Sequence, residues 1–317
     1  MNFMQKKILI IGQGQLGHAY QDYFTATKEW QVTMAQGIDI RDASAVHALV
    51  QQECPSVVLN VAAITDIDYA EEHQQECVAV NTLGADHVAA ACQAQGVYLV
   101  HMSSGCVQES KSAHEVHGEE DTPSPLCFYA WTKVWAENLI MDRVHHRGYG
   151  GHLPLPLKAL ILRPRQLLSA TLSPRNALAK MLTYTKFIDT PNSATVIEDL
   201  LFATDKLIAK GATGIFNVVN PGVTSPYEIA TLLKAHVKPD MSFLKISKDQ
   251  LNAMTRAKRI DCVLSTAKLE AASVALPEIH ERLKEILVQL KTNLAAPDAA
   301  TILNKVQKQT QEKLKSQ

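Results

Sequence analysis

The chain has 317 residues, enough for one large or two modest domains with an ample core. Its 31 Lys+Arg against 32 Asp+Glu leave a formal net charge of -1, which argues against a surface that coats nucleic acid. No apolar run is long enough to span a bilayer, no cationic-then-apolar leader occupies Met1 to Lys7, and the six cysteines (Cys54, Cys77, Cys92, Cys106, Cys127 and Cys262) form no C-x-x-C pair. A zinc cage is disfavoured and a reducing, cytoplasmic setting is expected.

Lys7-Ile-Leu-Ile-Ile11 reads as a fully buried parallel strand and runs into Gly12-Gln13-Gly14-Gln15-Leu16-Gly17, a G-x-G-x-x-G match. Leu16, Ala19, Tyr20, Tyr23 and Phe24 then recur at helical spacing. Strand, glycine turn and helix together predict a dinucleotide site: Gly12 for the tight turn, Gly14 for close approach of the pyrophosphate, Gly17 for helix-on-strand packing. The helix N-terminus supplies N–H groups to the phosphates. The next strand is expected at Trp30 to Met34, with no carboxylate or arginine at its immediate end. Asp39, Ile40 and Arg41 lie a little beyond; Asp39 and Ile40 are expected among the cofactor-binding residues, Asp39 could serve the adenosine and Arg41 a 2′-phosphate, or the two charges are solvated loop groups. The expected cofactor is NADPH or NADH, with NADPH favoured.

Further on, Ala43 to Gln52 predicts a helix, Ser56 to Val61 a strand, Glu76 to Gln95 a long helix and Val97 to Met102 a strand. Ser103-Ser104-Gly105-Cys106 follows. A helix carries Tyr129-Ala-Trp-Thr-Lys133, and Leu157 to Leu162 is another apolar strand. Tyrosine and lysine four apart share a helix face, so the ammonium can favour the phenolate. Bringing a phenol from about 10 to about 7 requires roughly 4 kcal/mol of differential stabilisation. With a serine to hold a carbonyl, these are the parts of a ketone/alcohol oxidoreductase; Tyr-x-x-x-Lys alone is weak, and the N-terminal motif strengthens it. His145, His146 and His152, in a Gly/Pro-rich stretch, lack accompanying ligands and read as a solvated loop, so no metal is expected.

The alternation predicts an α/β, Rossmann-type doubly wound parallel sheet with a smaller C-terminal α/β lobe. Residues 1–165 form the NAD(P)-binding domain, with later segments returning to it; residues 166–294 form mainly a substrate lobe. Residues 295–317 form a polar tail, helical or frayed, read as surface rather than partner-binding.

Several blocks now carry a resemblance. Pro55 to Glu71, containing Asn60, Ala62, Ala63, Thr65 and Asp68, is similar to the third strand and following loop of the dTDP-4-dehydrorhamnose reductase type of extended short-chain dehydrogenase/reductases. Val80-Asn81 and Ser103-Ser104 fit the same family. Where that family has Ser-Thr-Asp-Tyr-Val-Phe, this chain has Gly105, Cys106 and Gln108 in place of the Asp, Tyr and Phe. Ser104-Gly105-Cys106 looks more like the bifunctional nucleotide-rhamnose 3,5-epimerase/4-reductases, and GDP-L-fucose synthase also has a cysteine two residues after its serine. Leu162-Arg163-Pro-Arg165, Ser173 to Lys180, Thr190 to Val196 and Phe216 to Ser225 resemble the same group.

The resemblance implies Ser104, Tyr129 and Lys133 as the catalytic set, Ala62, Ala63 and Thr65 at the cofactor, and Asn176, Asn192 and Arg259 at a nucleotide-sugar substrate. Epimerisation beside a ketone needs a base on one face and an acid on the other. Ser104 and Cys106, if on one strand, would share a face, and a thiol titrates close enough to neutrality to serve. By position in the resemblance, Lys180 is the second group, although a solvated helix lysine is an equal reading. The expected activity is reduction of a nucleotide-linked 4-keto-6-deoxyhexose coupled to 3,5-epimerisation. Two alternatives stand beside it: reduction only, or a non-catalytic NADP-binding regulatory subunit resembling the methionine adenosyltransferase β-subunit. Extended reductases of this type are often dimers, so a homodimer is left open, and no membrane or nucleic-acid partner is expected.

Overall fold

The computed structural model describes residues 6–145 and 156–316. They fall into two compact units. The first gathers the described residues of 1–107, 127–163 and 205–216; the second, those of 108–126, 164–204 and 217–316.

The first unit holds a six-stranded sheet: β1 (Lys6–Ile11), β2 (Trp30–Met34), β3 (Val57–Asn60), β4 (Tyr98–Met102), β5 (Ala159–Arg163) and β6 (Gly214–Asn217). Their order is β6-β5-β4-β3-β1-β2, and the pairings among β1 to β5 are all parallel. Ile8 to Ile11, Leu99, Val100, Leu160 and Ile161 are all 0% exposed. Both faces of these strands are covered, which is why their sequences show apolar runs rather than alternation. Helices α1 (Gln15–Thr27), α2 (Ala43–Glu53), α3 (Ala85–Gln95) and α4 (Phe128–Val144) belong to this unit. Val46, Val50, Val88, Cys92 and Ile140 from these helices join Leu9, Leu99 and Ile161 of the strands in one core. From β1 the chain steps to β2 on one side and then to β3 on the other, so the winding direction reverses between β1 and β3. In such sheets the crevice outside the carboxyl ends at the reversal is where ligands bind.

One expected element is not a single α-helix. The stretch read as a helix from Glu76 is α-helical at Gln74–Cys77, π-helical at Val78–Gly84 and α-helical again in α3. Gly84 sits where a Cβ would come within 2.6 Å of the Ile40 side chain. The wider turn also carries buried Asn81 and Thr82, whose side chains hydrogen-bond outside their own helix.

The second unit has its own core, built from Leu178, Phe187, Val196, Ile229, Leu233, Leu283, Ile286 and Leu290. Its strands are short parallel pairs: Leu244–Ile246 with Lys186–Ile188, Val263–Leu264 with Val116–His117, and Leu167–Leu168 with Thr195–Val196. The terminal segment departs from the expected surface tail. It forms a helix over Ala299–Ser316, with Ala299 and Val306 each 1% exposed and Leu303 packed on the core. Thr310 adds an Oγ1 contact to Thr183 Oγ1 at 3.3 Å. Spacing of three to four residues between 299, 303, 306 and 310 places these on one stripe, while Lys305, Gln307, Lys308, Gln309 and Gln311 are exposed.

Candidate functional site

The glycine turn after β1 is shaped by close approach. Gly12 adopts φ +119°, and a Cβ there would lie 2.6 Å from the Ala62 amide nitrogen. A Cβ on Gly17 would lie 1.8 Å from the Gly12 carbonyl oxygen. Only glycine lets α1 start so tightly against the ends of β1 and β3. Gly14 is the N-cap of α1, in extended backbone and without a side-chain cap, so the N–H groups of Gln15, Leu16 and Gly17 have no acceptor within the helix. N–H groups left open in this way can hold an anion. Gln13 Nε2 ties the turn to the end of β2, donating to the Ala35 carbonyl and to Gln36 Oε1, both at 2.8 Å.

Asp39 and Arg41 are paired to each other at 2.6 Å on the surface, and the guanidinium holds the Asp39 carboxyl down at about 2. Ile40, placed with the cofactor residues by the sequence, has its side chain in the core and its carbonyl at 2.9 Å from His87 Nδ1. Its side chain is therefore a packing group, and only its backbone is open to a ligand role.

The loop after β3 is fixed by two asparagines. Asn60 Oδ1 accepts from the Ala62 N–H at 3.1 Å. Asn81 Oδ1 accepts from the Ile64 N–H at 2.8 Å, and its Nδ2 donates to the Ile64 carbonyl at 2.9 Å. Ala62 and Ala63 are half-buried within this grip and Thr65 is exposed beyond it.

At β4 the sequence expectation needs correcting. The strand ends at Met102, and Gly105–Val107 is a tight helical turn, so Ser104 and Cys106 do not share a strand face. Ser104 Oγ instead accepts from the Cys106 N–H at 3.2 Å, capping the turn. Ser104 is buried and Cys106 half-buried.

Tyr129 is the second residue of α4, and Lys133 follows one turn later. The Phe128 N–H, at the very start of that helix, donates to Glu71 Oε1 at 2.8 Å. Lys133 is 2% exposed and its Nζ donates to the Met102 carbonyl at 2.9 Å, which brings it to the end of β4, beside Ser103 and Ser104. Burial pulls its ammonium down to about 8, against the upward pull of Glu137 and Cys106. Glu137, one turn on and 2% exposed, pairs with Arg163 (Nε 2.9 Å, Nη2 2.5 Å) and accepts from Ser103 Oγ. His101 is 1% exposed, with Asn60 Nδ2 3.4 Å from its Nδ1; burial, with Lys133 nearby, keeps the ring neutral. Glu137, Arg163 and His101 were not among the expected site residues. The Lys133-x-x-x-Glu137 spacing was the available signal for the first of them.

Asn176, Lys180, Asn192 and Arg259 all belong to the second unit. Asn176 caps the helix Ala177–Met181, accepting from Ala179 N at 2.9 Å and donating to the Ser169 and Thr171 carbonyls. Its amide is thus engaged in holding the helix that carries half-buried Lys180. Asn192 is 1% exposed and cross-links Arg165, Cys262 and Asp261. Arg259 is half-buried, its N–H donating to Asn252 Oδ1 at 2.9 Å. Of the three histidines noted in the sequence, His146 and His152 lie outside the described residues. Among the described residues no group of three His, Cys, Asp or Glu side chains is placed to hold a metal ion.

Residues 6–292 match the family described as the RmlD substrate binding domain. The chain is 29% identical over 254 residues to a bifunctional dTDP-4-dehydrorhamnose 3,5-epimerase/dTDP-4-dehydrorhamnose reductase of Arabidopsis thaliana, covering 77% of this chain and 80% of that protein. A trifunctional UDP-glucose 4,6-dehydratase/UDP-4-keto-6-deoxy-D-glucose 3,5-epimerase/UDP-4-keto-L-rhamnose-reductase of the same plant is also 29% identical over 73% of this chain, which spans only 34% of that longer protein. Among solved structures, the L780 UDP-rhamnose synthase of Acanthamoeba polyphaga mimivirus superposes with a TM-score of 0.78 at 26% identity, covering 89% of this chain and 99% of that one. The dTDP-4-dehydrorhamnose reductase of Bacillus anthracis, solved in complex with NADP, shares the fold with a TM-score of 0.77 at 24% identity, covering 90% of this chain and 100% of that one.

Proposed function

The chain belongs to the RmlD substrate binding domain family, and from that premise we propose that it is an NADPH-dependent reductase of a nucleotide-linked 4-keto-6-deoxyhexose that also epimerises C3 and C5. The observation that carries the reading is Lys133: a buried lysine one turn from Tyr129, anchored on the last residue of β4 and titrating at about 8. A lysine serving only as a solubilising surface charge would not be sunk into that position.

The residues fit a dinucleotide. The turn at Gly12 and Gly17 leaves no room for side chains, and the N-terminus of α1 carries no side-chain cap. Gln15, Leu16 and Gly17 would hold the pyrophosphate by backbone N–H groups. The loop of Ala62, Ala63 and Thr65, set by Asn60 and Asn81, lies at the β1/β3 reversal, where the rest of the cofactor would lie. When bound there, the cofactor would supply the hydride for C4. Ser104 holds the carbonyl oxygen, Tyr129 gives its phenolic proton to the forming alkoxide, and the Lys133 ammonium stabilises the phenolate left behind.

Epimerisation uses the same polarised carbonyl. A base removes the proton α to C4, and an acid returns one to the opposite face. Cys106 and Lys180 are assigned to these two roles. The likeness to a plant protein named as a bifunctional 3,5-epimerase/reductase supports the epimerase part of the reading.

The test is turnover of UDP- and dTDP-4-keto-6-deoxyglucose in heavy water with NADPH, following label at C3 and C5 together with cofactor oxidation. Both signals in the unaltered chain, with label lost in Cys106→Ala while a pre-epimerised ketone is still reduced, are expected. Oxidation of the pre-epimerised ketone without label reduces the activity to the reductase; cofactor binding with neither signal favours the regulatory reading.

A further inference from the structure

The helix Ala299–Ser316 lies beyond residues 6–292, the stretch matched to the family, yet it docks on an element that the proposed chemistry uses. It packs against Ala177–Met181, the helix that carries Lys180, and against Ile279–Leu294. A helix of five residues is too short to hold itself in water, so Ala177–Met181 takes its position from what grips its two ends. At the N-terminal end the grip is Asn176, whose Oδ1 accepts from the Ala179 N–H while its Nδ2 donates to the Ser169 and Thr171 carbonyls. At the other end Leu178, Met181 and Leu182 join the second core, and Leu303 of the terminal helix packs on that core. Val306, the next residue of the same stripe, is 1% exposed. Thr183 closes this end: its Oγ1 donates to the Lys180 carbonyl at 2.7 Å, and its N–H donates to the same oxygen at 2.9 Å. With its proton used in this way, Thr183 Oγ1 is left to accept from Thr310 Oγ1, 3.3 Å away. The Thr310 hydroxyl also lies 3.0 Å from the Val306 carbonyl, so its one proton is shared between its own helix and Thr183.

We propose that the terminal helix is a brace for the epimerase step, with Val306 and Thr310 as positioning residues: docked, it fixes the C-terminal end of Ala177–Met181 and through it the placement of the Lys180 ammonium. This rests on the reading of Lys180 as one of the two proton-transfer groups. Proton transfer requires hydrogen-bond reach, and misplacement by about 1 Å can cost on the order of 100-fold in rate. Ser104, Tyr129 and Lys133 stand on other elements, in the first unit, so loosening the brace should separate epimerisation from reduction.

The experiment uses the full chain with UDP- and dTDP-4-keto-6-deoxyglucose. It measures the rate of deuterium entry at C3 and C5, kcat and KM for reduction of the pre-epimerised ketone, and thermal stability. Thr310→Val keeps the β-branched shape and removes only the hydroxyl, Thr310→Ser restores the hydroxyl, Val306→Ala trims the packing, and Gln307→Ala alters the exposed side of the same turn. Thr310→Val should slow exchange by about fivefold and Val306→Ala by on the order of tenfold, while kcat and KM for reduction stay within about twofold. Thr310→Ser and Gln307→Ala should exchange within about twofold of the unaltered chain. Normal exchange in folded Thr310→Val and Val306→Ala would overturn the brace. So would exchange and reduction falling together, because that is the mark of general loosening. If Val306→Ala does not fold, the Val and Ser pair at 310 decides it alone. Lys180→Met separates the two layers of the argument: it should abolish exchange, and normal exchange in it, or none in the unaltered chain, removes the proton-transfer reading of Lys180 and the brace with it. Exchange lost in Lys180→Met but insensitive to positions 306 and 310 removes the brace only.

Discussion

At the scale of single residues, the balance at Lys133 governs the proposed chemistry. Desolvation lowers its ammonium to about 8, and the carboxylate of Glu137, one helical turn away, pulls in the other direction. Reduction needs Tyr129 protonated and Lys133 charged, so kcat/KM should fall as pH rises through about 8. Removing the Glu137 charge removes an upward pull, so in Glu137→Gln that limb should move to lower pH. A merely structural Glu137 would leave the limb where it was. The same substitution strips buried Arg163 of its carboxylate partner, at about 3–5 kcal/mol in chemical denaturation. Tyr129 and Lys133 were legible because their relation is local, i to i+4 on one helix. The Glu137–Arg163 pair was not, because its members lie 26 residues apart and meet only once β5 lies beside α4. The shared face expected for Ser104 and Cys106 failed for a related reason. Strand periodicity was carried past Met102, where the backbone has already turned, and nothing in Ser-Ser-Gly-Cys marks that bend by itself.

At the scale of elements, strands β1 and β2 and helix α2 lie within a residue or so of where their apolar patterns put them, because burial on both faces writes the pattern into contiguous residues. Two elements were less readable. The π turn depends on a packing contact between Gly84 and Ile40, 44 positions back in the chain and on the reach of Asn81, neither of which alters helical periodicity enough to be seen. The terminal helix was obscured by its composition: a stripe of Ala299, Leu303, Val306 and Thr310 is thin beside the surrounding lysines and glutamines. Its docking makes a direct prediction. Val306, 1% exposed, should not tolerate a charge, and Val306→Asp should lower unfolding free energy by about 3 kcal/mol from lost burial and carboxylate desolvation. Gln307→Asp, on the exposed side of the same turn, should change it by less than about 0.5 kcal/mol. Equal effects at 306 and 307 would mean that the helix does not dock in solution.

At the scale of the whole molecule, two units each carry their own apolar core, and the expected roles divide between them. The glycine turn, the Ala62–Thr65 loop and the Ser104, Tyr129 and Lys133 set belong to the first; Asn176, Lys180, Asn192 and Arg259 belong to the second. The alternation of strands and helices made the first unit legible. The strand pairs of the second, two or three residues long, offer no period long enough to read. This division has a measurable consequence. A ligand stabilises the structure it binds by RT ln(1 + [L]/Kd), about 2.7 kcal/mol at 100-fold excess over Kd. NADPH alone should therefore slow amide exchange chiefly at β1, the start of α1, the loop after β3 and the first turns of α4, whose backbone groups the glycine turn, Asn60, Asn81 and Glu71 tie together. The core of the second unit, around Val196, Leu233 and Leu283, should gain less, and added nucleotide sugar should extend protection there through the Asn176–Lys180 helix. Protection that rises first and most in the second core with NADPH alone would place the cofactor elsewhere and overturn the assignment of the Gly12–Gly17 turn.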